Sequence, residues 1–177
     1  MKFLLLLTLQ VIFSSKNING YYIRVPSNIK NKLKEFLINY PKVYVEIGLS
    51  SYYHQKFHGK KTATGDVFSN LKWTCAHRTL PIPSVVLVIF SYGNEIRGLK
   101  LLVNDRGPFK AKRILDVSLG VAQVMDLEQK GLEKIILFFL PQETNKILVS
   151  RIFQPDYKLL NIEEIIKILL LNKIFIT

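Results

Sequence analysis

The sequence is poor in cysteine and histidine. Of its 177 residues, one is a cysteine, Cys75, and three are histidines. A single cysteine excludes a disulfide within the chain and also a zinc site built from several cysteines. His54, His58 and His77 lack the spacing of a zinc-binding set, so we expect neither a bound metal nor a cofactor.

Acidic residues are also scarce. The chain has 13 aspartates and glutamates against 25 lysines and arginines, which gives a formal net charge of +12. Such a balance favours an anionic partner (nucleic acid, acidic lipid or acidic glycan), and the alternative is a set of lysines spread over a solvated face. Because no recognition helix, RNP-type aromatic block or zinc finger is visible, we expect no nucleic-acid partner.

No apolar run reaches the roughly 20 residues that a membrane span needs. The apolar stretch 3–13 follows Lys2 and is interrupted only by Thr8 and Gln10. This pattern is typical of a secretory signal, within a signal-like segment 1–20, and a buried N-terminal strand is the alternative. We therefore expect export to the periplasm or cell envelope, without a lipid anchor because no cysteine lies near the segment.

The rest of the chain has the composition of one globular domain with short extensions. Hydrophobic residues make up 49% and charged residues 21%, which excludes a disordered chain. We expect an N-terminal extension over 21–42 with a helix at 28–39, a β domain over 43–141, and a C-terminal extension over 142–177. Strands are predicted at 43–50, 85–90, 96–103, 114–117, 134–140 and 146–153, and a helix begins after Ser118 and ends near residue 127. This order indicates a small closed β-barrel with a helical insertion.

A second helix is predicted from about Asn161. Its apolar residues are expected on one face, with the charged residues Glu163, Glu164 and Lys167 opposite. That face either packs on the barrel or lies on a membrane or a partner. The apolar set is Leu159, Leu160, Ile162, Ile165, Ile166, Leu169 and Leu170.

Five sequence blocks occur in order in the predicted barrel: GLSSYY at 48–53, FHGKKTATGDVF at 57–68, AHRTLP at 76–81, VNDRGPF at 103–109 and RILDVS at 113–118. Together they resemble the rare lipoprotein A (RlpA) family over about residues 46–140. The resemblance implies a mainly β fold, a six-stranded double-psi β-barrel. It also implies a lytic transglycosylase that cleaves the β-1,4 bond between N-acetylmuramic acid and N-acetylglucosamine in peptidoglycan and leaves 1,6-anhydro-muramic ends. The alternative is a non-catalytic, expansin-like protein that binds or loosens the wall.

The resemblance also implies two catalytic residues. Asp105 matches the family's catalytic aspartate, and His77 matches a histidine expected to face that aspartate across a groove. Taken alone, an aspartate before Gly-Pro is common as a turn former, and a lone histidine is more often a surface or core residue. A lytic transglycosylase can work with one acid/base, because the C6 hydroxyl of the muramic acid is itself the nucleophile.

Seven further residues are expected to bind substrate. Asp66 stands where the family usually has glutamate, and Ser69 stands where it usually has aspartate. Loss of that second carboxylate would weaken charge stabilisation in the groove, and the alternative is that Ser69 only caps the following turn. One of the paired tyrosines is expected to be buried. The full set is Tyr52, Tyr53, Lys61, Thr62, Asp66, Ser69 and Arg106.

The expected partner is a peptidoglycan glycan strand, whose stem peptides carry carboxylates that suit the basic surface. We expect a monomer with loose association to anionic envelope surfaces. The family's frequent C-terminal SPOR domain is not expected in the C-terminal extension, so septal targeting does not follow from the resemblance.

Overall fold

The computed structural model describes residues 21–22, 24, 27–39, 44–155 and 157–172. The signal-like segment 1–20 therefore lies outside the described residues. Five helices are assigned among the described residues: α1 (Ile29–Asn39), α2 (Leu119–Val124), α3 (Leu127–Lys130), α4 (Pro141–Ser150) and α5 (Ile162–Leu171). Eight strands are assigned in the same part of the chain: β1 (Tyr21–Tyr22), β2 (Val45–Tyr52), β3 (Thr74–His77), β4 (Ser84–Tyr92), β5 (Glu95–Asp105), β6 (Arg113–Val117), β7 (Glu133–Phe139) and β8 (Ile152–Phe153).

Six of these strands close into a barrel with the order β2-β6-β3-β5-β4-β7. The β2–β6 and β3–β5 contacts are parallel, and the other contacts between neighbouring strands are antiparallel. A closed, mixed, six-stranded barrel is the architecture that the family resemblance implies. The prediction of a double-psi β-barrel is therefore confirmed.

Strand β4 shows why the sequence of a barrel strand can be a continuous apolar run. Val86 and Val88 face the core inside the barrel, whereas Val85 and Leu87 belong to a second buried cluster outside it. Helices α4 and α5 supply much of that outer cluster, including Ile147, Ile165 and Leu169. A strand covered on both faces needs apolar residues at every position.

The predicted strand at 146–153 is wrong over most of its length. Helix α4 ends at Ser150, and only Ile152–Phe153 form a strand, which pairs with β1. In α4, Thr144, Ile147 and Leu148 are buried while Val149 is 85% exposed. Burial at i, i+3 and i+4 is helical, and a short apolar run alone does not distinguish it from a strand.

Helix α5 packs on the barrel, one of the two placements that the sequence left open. Ile165 lies over Gly98 of β5, where a Cβ atom on the glycine would come within 2.9 Å of the isoleucine side chain. Glycine at this position lets the helix approach the strand closely, and β5 runs through it without a break. The barrel covers only part of the predicted apolar face, because Ile165 and Leu169 are buried whereas Ile162, Ile166 and Leu170 are about half exposed. Among the described residues, no helix is long and apolar enough to cross a membrane.

Candidate active site

Asp105 is the last residue of β5, where the strand leaves the barrel. Its Oδ1 accepts hydrogen bonds from the backbone N–H groups of Ala63 and Arg106, both at 2.8 Å. Its Oδ2 accepts a hydrogen bond from the hydroxyl of Tyr53, also at 2.8 Å. The carboxylate is therefore fixed by two rigid backbone donors on one oxygen and by one phenol on the other.

Tyr53 connects Asp105 to a group of aromatic side chains. Its ring lies 4.5 Å from the ring of Phe68 and 5.7 Å from that of Phe57, measured between centroids. Burial, together with the nearby Asp105 carboxylate, raises the pKa of the Tyr53 phenol far above its ordinary value. The phenol therefore stays protonated at any physiological pH and acts as a neutral donor to Asp105. Tyr52 and Tyr53 are both half-buried, so the expectation that one of them is buried is not met.

His77 ends β3 and is 1% exposed. Its Nδ1 accepts hydrogen bonds from the backbone N–H groups of Thr79 (3.2 Å) and Leu80 (3.1 Å). Nδ1 is therefore the unprotonated nitrogen, and Nε2–H donates to Oε2 of Glu46 at 2.9 Å. Burial lowers the pKa of His77 below its ordinary value, although Glu46 opposes the effect, and the ring is neutral near pH 7.

Glu46 is a site residue that sequence reasoning missed. It lies on β2, and its Oε2 also accepts a hydrogen bond from the hydroxyl of Tyr44 at 2.7 Å. Its Oε1 lies 4.0 Å from Nη2 of Arg78. The available signal was a single acidic residue in a predicted strand that is otherwise apolar or hydroxylic, because a charged side chain there needs a partner.

Arg106 joins the surroundings of His77 to those of Asp105. Its Nη1 donates to the backbone carbonyl oxygens of His77 (3.2 Å) and Leu80 (2.6 Å), and its backbone N–H holds Asp105. Partial burial lowers the pKa of its guanidinium, while Asp105 opposes that change. The parallel register of β3 and β5 pairs Ala76 with Asp105. The residues that follow them, His77 and Arg106, therefore lie side by side at the same end of the barrel. The structure thus brings His77 and Asp105 to one end of the barrel, with different hydrogen-bond partners.

The loop that carries Asp66 packs against the same barrel end. The backbone N–H of Thr64 donates to the carbonyl of Asn104, at 3.2 Å. The hydroxyl of Thr64 donates to Oδ2 of Asp66 (2.7 Å) and lies 2.9 Å from that of Thr62. Thr62 is buried, so it braces the loop, whereas Lys61 is exposed. The backbone N–H of Arg24 donates to Oδ1 of Asp66 at 3.0 Å.

Ser69 takes part in a local turn. Its Oγ accepts a hydrogen bond from the backbone N–H of Leu71 at 3.3 Å. A serine hydroxyl that bonds two residues ahead stabilises a turn, which agrees with the capping alternative for this position. His54 and His58 likewise accept backbone hydrogen bonds through Nδ1. In the described part of the chain, no group of three His, Cys, Asp or Glu residues is arranged to hold a metal ion.

The arrangement suits proton transfer by one carboxylic acid. Both backbone donors are on Oδ1 of Asp105, so Oδ2, with the Tyr53 hydroxyl as its neighbour, is the oxygen that can carry a proton. A hydroxyl can both donate and accept, and Tyr53 can therefore contact Oδ2 in either protonation state. Asp105 is half-exposed, which leaves it open to a ligand.

Several known proteins are similar to this chain. A family model described as lytic transglycolase matches residues 45–136. The endolytic peptidoglycan transglycosylase RlpA of Rickettsia bellii is 46% identical over 132 residues, which cover 73% of this chain and 57% of that protein. The RlpA of Rickettsia typhi is 40% identical over 150 residues, covering 78% of this chain and 46% of that one. Among solved structures, the Streptomyces papain inhibitor (SPI) aligns with 54% of this chain and 94% of its own, at 20% identity and a TM-score of 0.43.

The chain spans about half the length of the curated relatives that it matches. The matched region nonetheless contains five barrel strands completely, from Val45 onward, and the first part of β7, whose last residues 137–139 lie beyond it. Asp105, Tyr53, His77 and Glu46 all lie within it. The family model covers more than half of the chain, and the chain therefore belongs to the lytic transglycolase family.

Proposed function

We propose that this protein is an endolytic peptidoglycan lytic transglycosylase. It cleaves the β-1,4 bond between N-acetylmuramic acid and N-acetylglucosamine and leaves 1,6-anhydro-muramic ends. The names of the relatives support this activity, and one observation in the site carries it. That observation is the half-buried carboxylate of Asp105, which is fixed through Oδ1 by two backbone N–H groups and can carry a proton on Oδ2.

In the first step, protonated Asp105 gives its proton to the glycosidic oxygen. The bond from that oxygen to C1 of the muramic acid breaks, glucosamine leaves with a 4-hydroxyl, and positive charge develops at C1. In the second step, the Asp105 carboxylate takes the proton of the C6 hydroxyl of the muramic acid. The oxygen of that hydroxyl bonds to C1 at the same time. The proton thus returns to Asp105 and no water is consumed, so one acid/base suffices.

The other residues position this acid or the sugar. Tyr53 holds Oδ2, and the backbone of Arg106 holds Oδ1. His77, paired with Glu46, fixes the turn to which the Arg106 guanidinium is bound. Exposed Lys61 and the carboxylate of Asp66 lie on the loop beside Asp105 and are the proposed contacts to the glycan.

The proposed place of action is the cell envelope, where peptidoglycan is found. Residues 1–20 would direct export to the periplasm, and the net charge of +12 would favour a loose attachment to anionic envelope surfaces. Cell fractionation tests this. The protein should be outside the cytoplasm and released by high salt without detergent, since salt screens exposed charges. Recovery in the cytoplasm would contradict the proposal, because the substrate is not there.

The activity is tested by digesting purified sacculi and analysing the products by mass spectrometry. The expected products carry 1,6-anhydro-muramic ends. Reducing ends would instead indicate a hydrolase, and uncut glycan with retained protein would indicate the expansin-like alternative.

The matched variant is Asp105→Asn. The amide can keep its oxygen toward the backbone N–H groups of Ala63 and Arg106, and its NH2 group can donate to the Tyr53 hydroxyl. The fold and glycan binding should therefore remain, while turnover falls by at least about 100-fold. Turnover within about tenfold of wild type would remove Asp105 from the catalytic role.

A further inference from the structure

An exposed aromatic ring with two ammonium groups lies next to the candidate active site. Phe57 ends a short 3-10 helix and is 38% exposed, a large fraction for a phenylalanine. The Nζ atoms of Lys56 and Lys60 each lie 5.6 Å from the centroid of its ring. Both distances are within the range of a cation–π contact. We call these three residues the Phe57 platform.

The platform is joined to Asp105 through one side chain. The edge-to-face contact between Phe57 and Tyr53, with centroids 5.7 Å apart, continues into the hydrogen bond from the Tyr53 hydroxyl to Oδ2 of Asp105. Phe68, 4% exposed, packs beneath Tyr53 and supports the same group. The platform therefore lies one side chain away from the residue proposed to transfer the proton.

The loop that carries the platform is held by its own backbone. The N–H of Lys60 donates to the carbonyl of Phe57 at 3.1 Å, and the N–H of Phe68 donates to the carbonyl of Lys60 at 2.8 Å. The N–H of Gly59 donates to the carbonyl of Phe68 at 3.0 Å. These bonds fix the backbone positions of Phe57 and Lys60 relative to Phe68, so the loop that carries the platform is ordered by its own main chain.

The charge of the platform is not neutralised within the described part of the protein. The ion pairs between described residues have Arg78, Arg97, Arg113, Lys130, Lys146 and Lys158 as their cations, and neither Lys56 nor Lys60 takes part. Two like charges beside one ring repel each other, and an anion placed between them would reverse that cost. An apolar ring flanked by cations suits a ligand that has both an apolar face and a negative charge, such as a sugar that carries a carboxylate.

We propose that the Phe57 platform is a subsite for the carboxylate carried by a muramic acid unit next to the cleaved bond. Lys56 and Lys60 would bind the carboxylate, and the exposed part of the Phe57 ring would contact the sugar beside it. That group is either the free lactyl carboxylate of a strand without peptides or a carboxylate of the stem peptide. The inference rests on the proposed function, because it places a muramic acid unit beside Asp105.

The test measures binding in the Asp105→Asn background, so that no strand is cut. The probes are soluble glycan strands with stem peptides, the same strands after an amidase has removed the peptides, and chitin oligosaccharides, which have no lactyl group. The test variant is Lys56→Gln with Lys60→Gln. The matched control is Lys34→Gln with Lys134→Gln, which removes the same charge from exposed positions on α1 and β7.

The platform variant should bind carboxylate-bearing strands about three- to tenfold more weakly than the control, with chitin binding unchanged. Loss on peptide-bearing strands alone assigns the carboxylate to the stem peptide, and loss on denuded strands alone assigns it to the lactyl group. Equal weakening by both double variants, or equal weakening on chitin, would overturn the inference. Sacculi left uncut by wild type would overturn the proposed activity. The binding measurements do not depend on cleavage, so they would still decide whether the platform binds the carboxylate.

Discussion

His77 and Glu46 form a pair in which the imidazole is enclosed and the carboxylate is partly exposed. Nε2 of His77 lies 2.9 Å from Oε2 of Glu46, and Nδ1 accepts two backbone hydrogen bonds. The ring is 1% exposed, whereas the Glu46 side chain is 27% exposed. Both ring nitrogens are therefore engaged inside the protein, and His77 acts through the turn that it organises.

His77→Ala should be destabilising as well as inactivating. It leaves the backbone N–H groups of Thr79 and Leu80 without their acceptor, and an unsatisfied buried group such as the N–H of Leu80 costs about 1–3 kcal/mol. We expect the free energy of unfolding, measured by urea titration, to fall by about 2–4 kcal/mol. Unchanged stability with lost turnover would instead indicate that His77 contacts the substrate directly.

The same residue should make the stability depend on pH. The pKa of His77 in the folded protein is below the ordinary value of 6.5. The unfolded chain therefore binds a proton that the folded protein does not, and stability falls as the pH drops from 6.5 toward the folded pKa. This slope is at most about 1.4 kcal/mol per pH unit. Urea titrations at about pH 7.5 and about pH 5.5 should show a larger loss for wild type than for His77→Gln, and equal losses would contradict the assignment.

Tyr53→Phe removes the hydroxyl that donates to Oδ2 of Asp105 and keeps the ring. We expect kcat on soluble glycan strands to fall about tenfold, because Oδ2 loses its fixed position, while KM changes little. The control is Tyr52→Phe, since the Tyr52 hydroxyl makes no hydrogen bond within the described part of the chain. Equal effects of the two substitutions would show that the Tyr53 hydroxyl does not position Asp105.

Ser69→Asp restores the residue type that the family usually has. The aspartate can accept the hydrogen bond from the N–H of Leu71 that Ser69 now accepts. We therefore expect stability to change by less than about 0.5 kcal/mol and turnover to stay within about threefold. A clear gain in the rate of anhydro-end formation would instead show that the missing carboxylate stabilises charge in the groove.

Gly98→Val tests whether α5 is part of the folded domain. The new side chain would collide with Ile165, because even a Cβ atom would lie 2.9 Å from it. We expect a loss of stability of about 1–3 kcal/mol, typical of overpacking, with the activity of the folded fraction retained. A melting temperature equal to that of wild type would mean that α5 is not held against β5.

The sequence alone predicted most of the barrel strands, and the family resemblance singled out Asp105, which the structure places at the end of β5. The motif blocks are local and keep their order, so the fold, the family and the position of Asp105 followed from reading them. Strand positions such as 85–90 followed from apolar runs, because burial on both faces is visible in a short window. A short apolar run misled the prediction at 146–153, because a buried helix and a buried strand have similar apolar content over so few residues.

Only the tertiary structure decided which side chains meet. Glu46 and His77 are 31 residues apart in sequence, and Tyr53 and Asp105 are 52 apart. These contacts depend on the strand order and register of a closed barrel, which composition and local periodicity do not encode. The structure thus turned Tyr53 from an expected sugar contact into the donor that holds Asp105, and it gave His77 the partner Glu46. It also divided the apolar residues of α5 into a buried set and a half-exposed set, because the helix packs with Ile165 over Gly98 and with Leu169 in the same buried cluster.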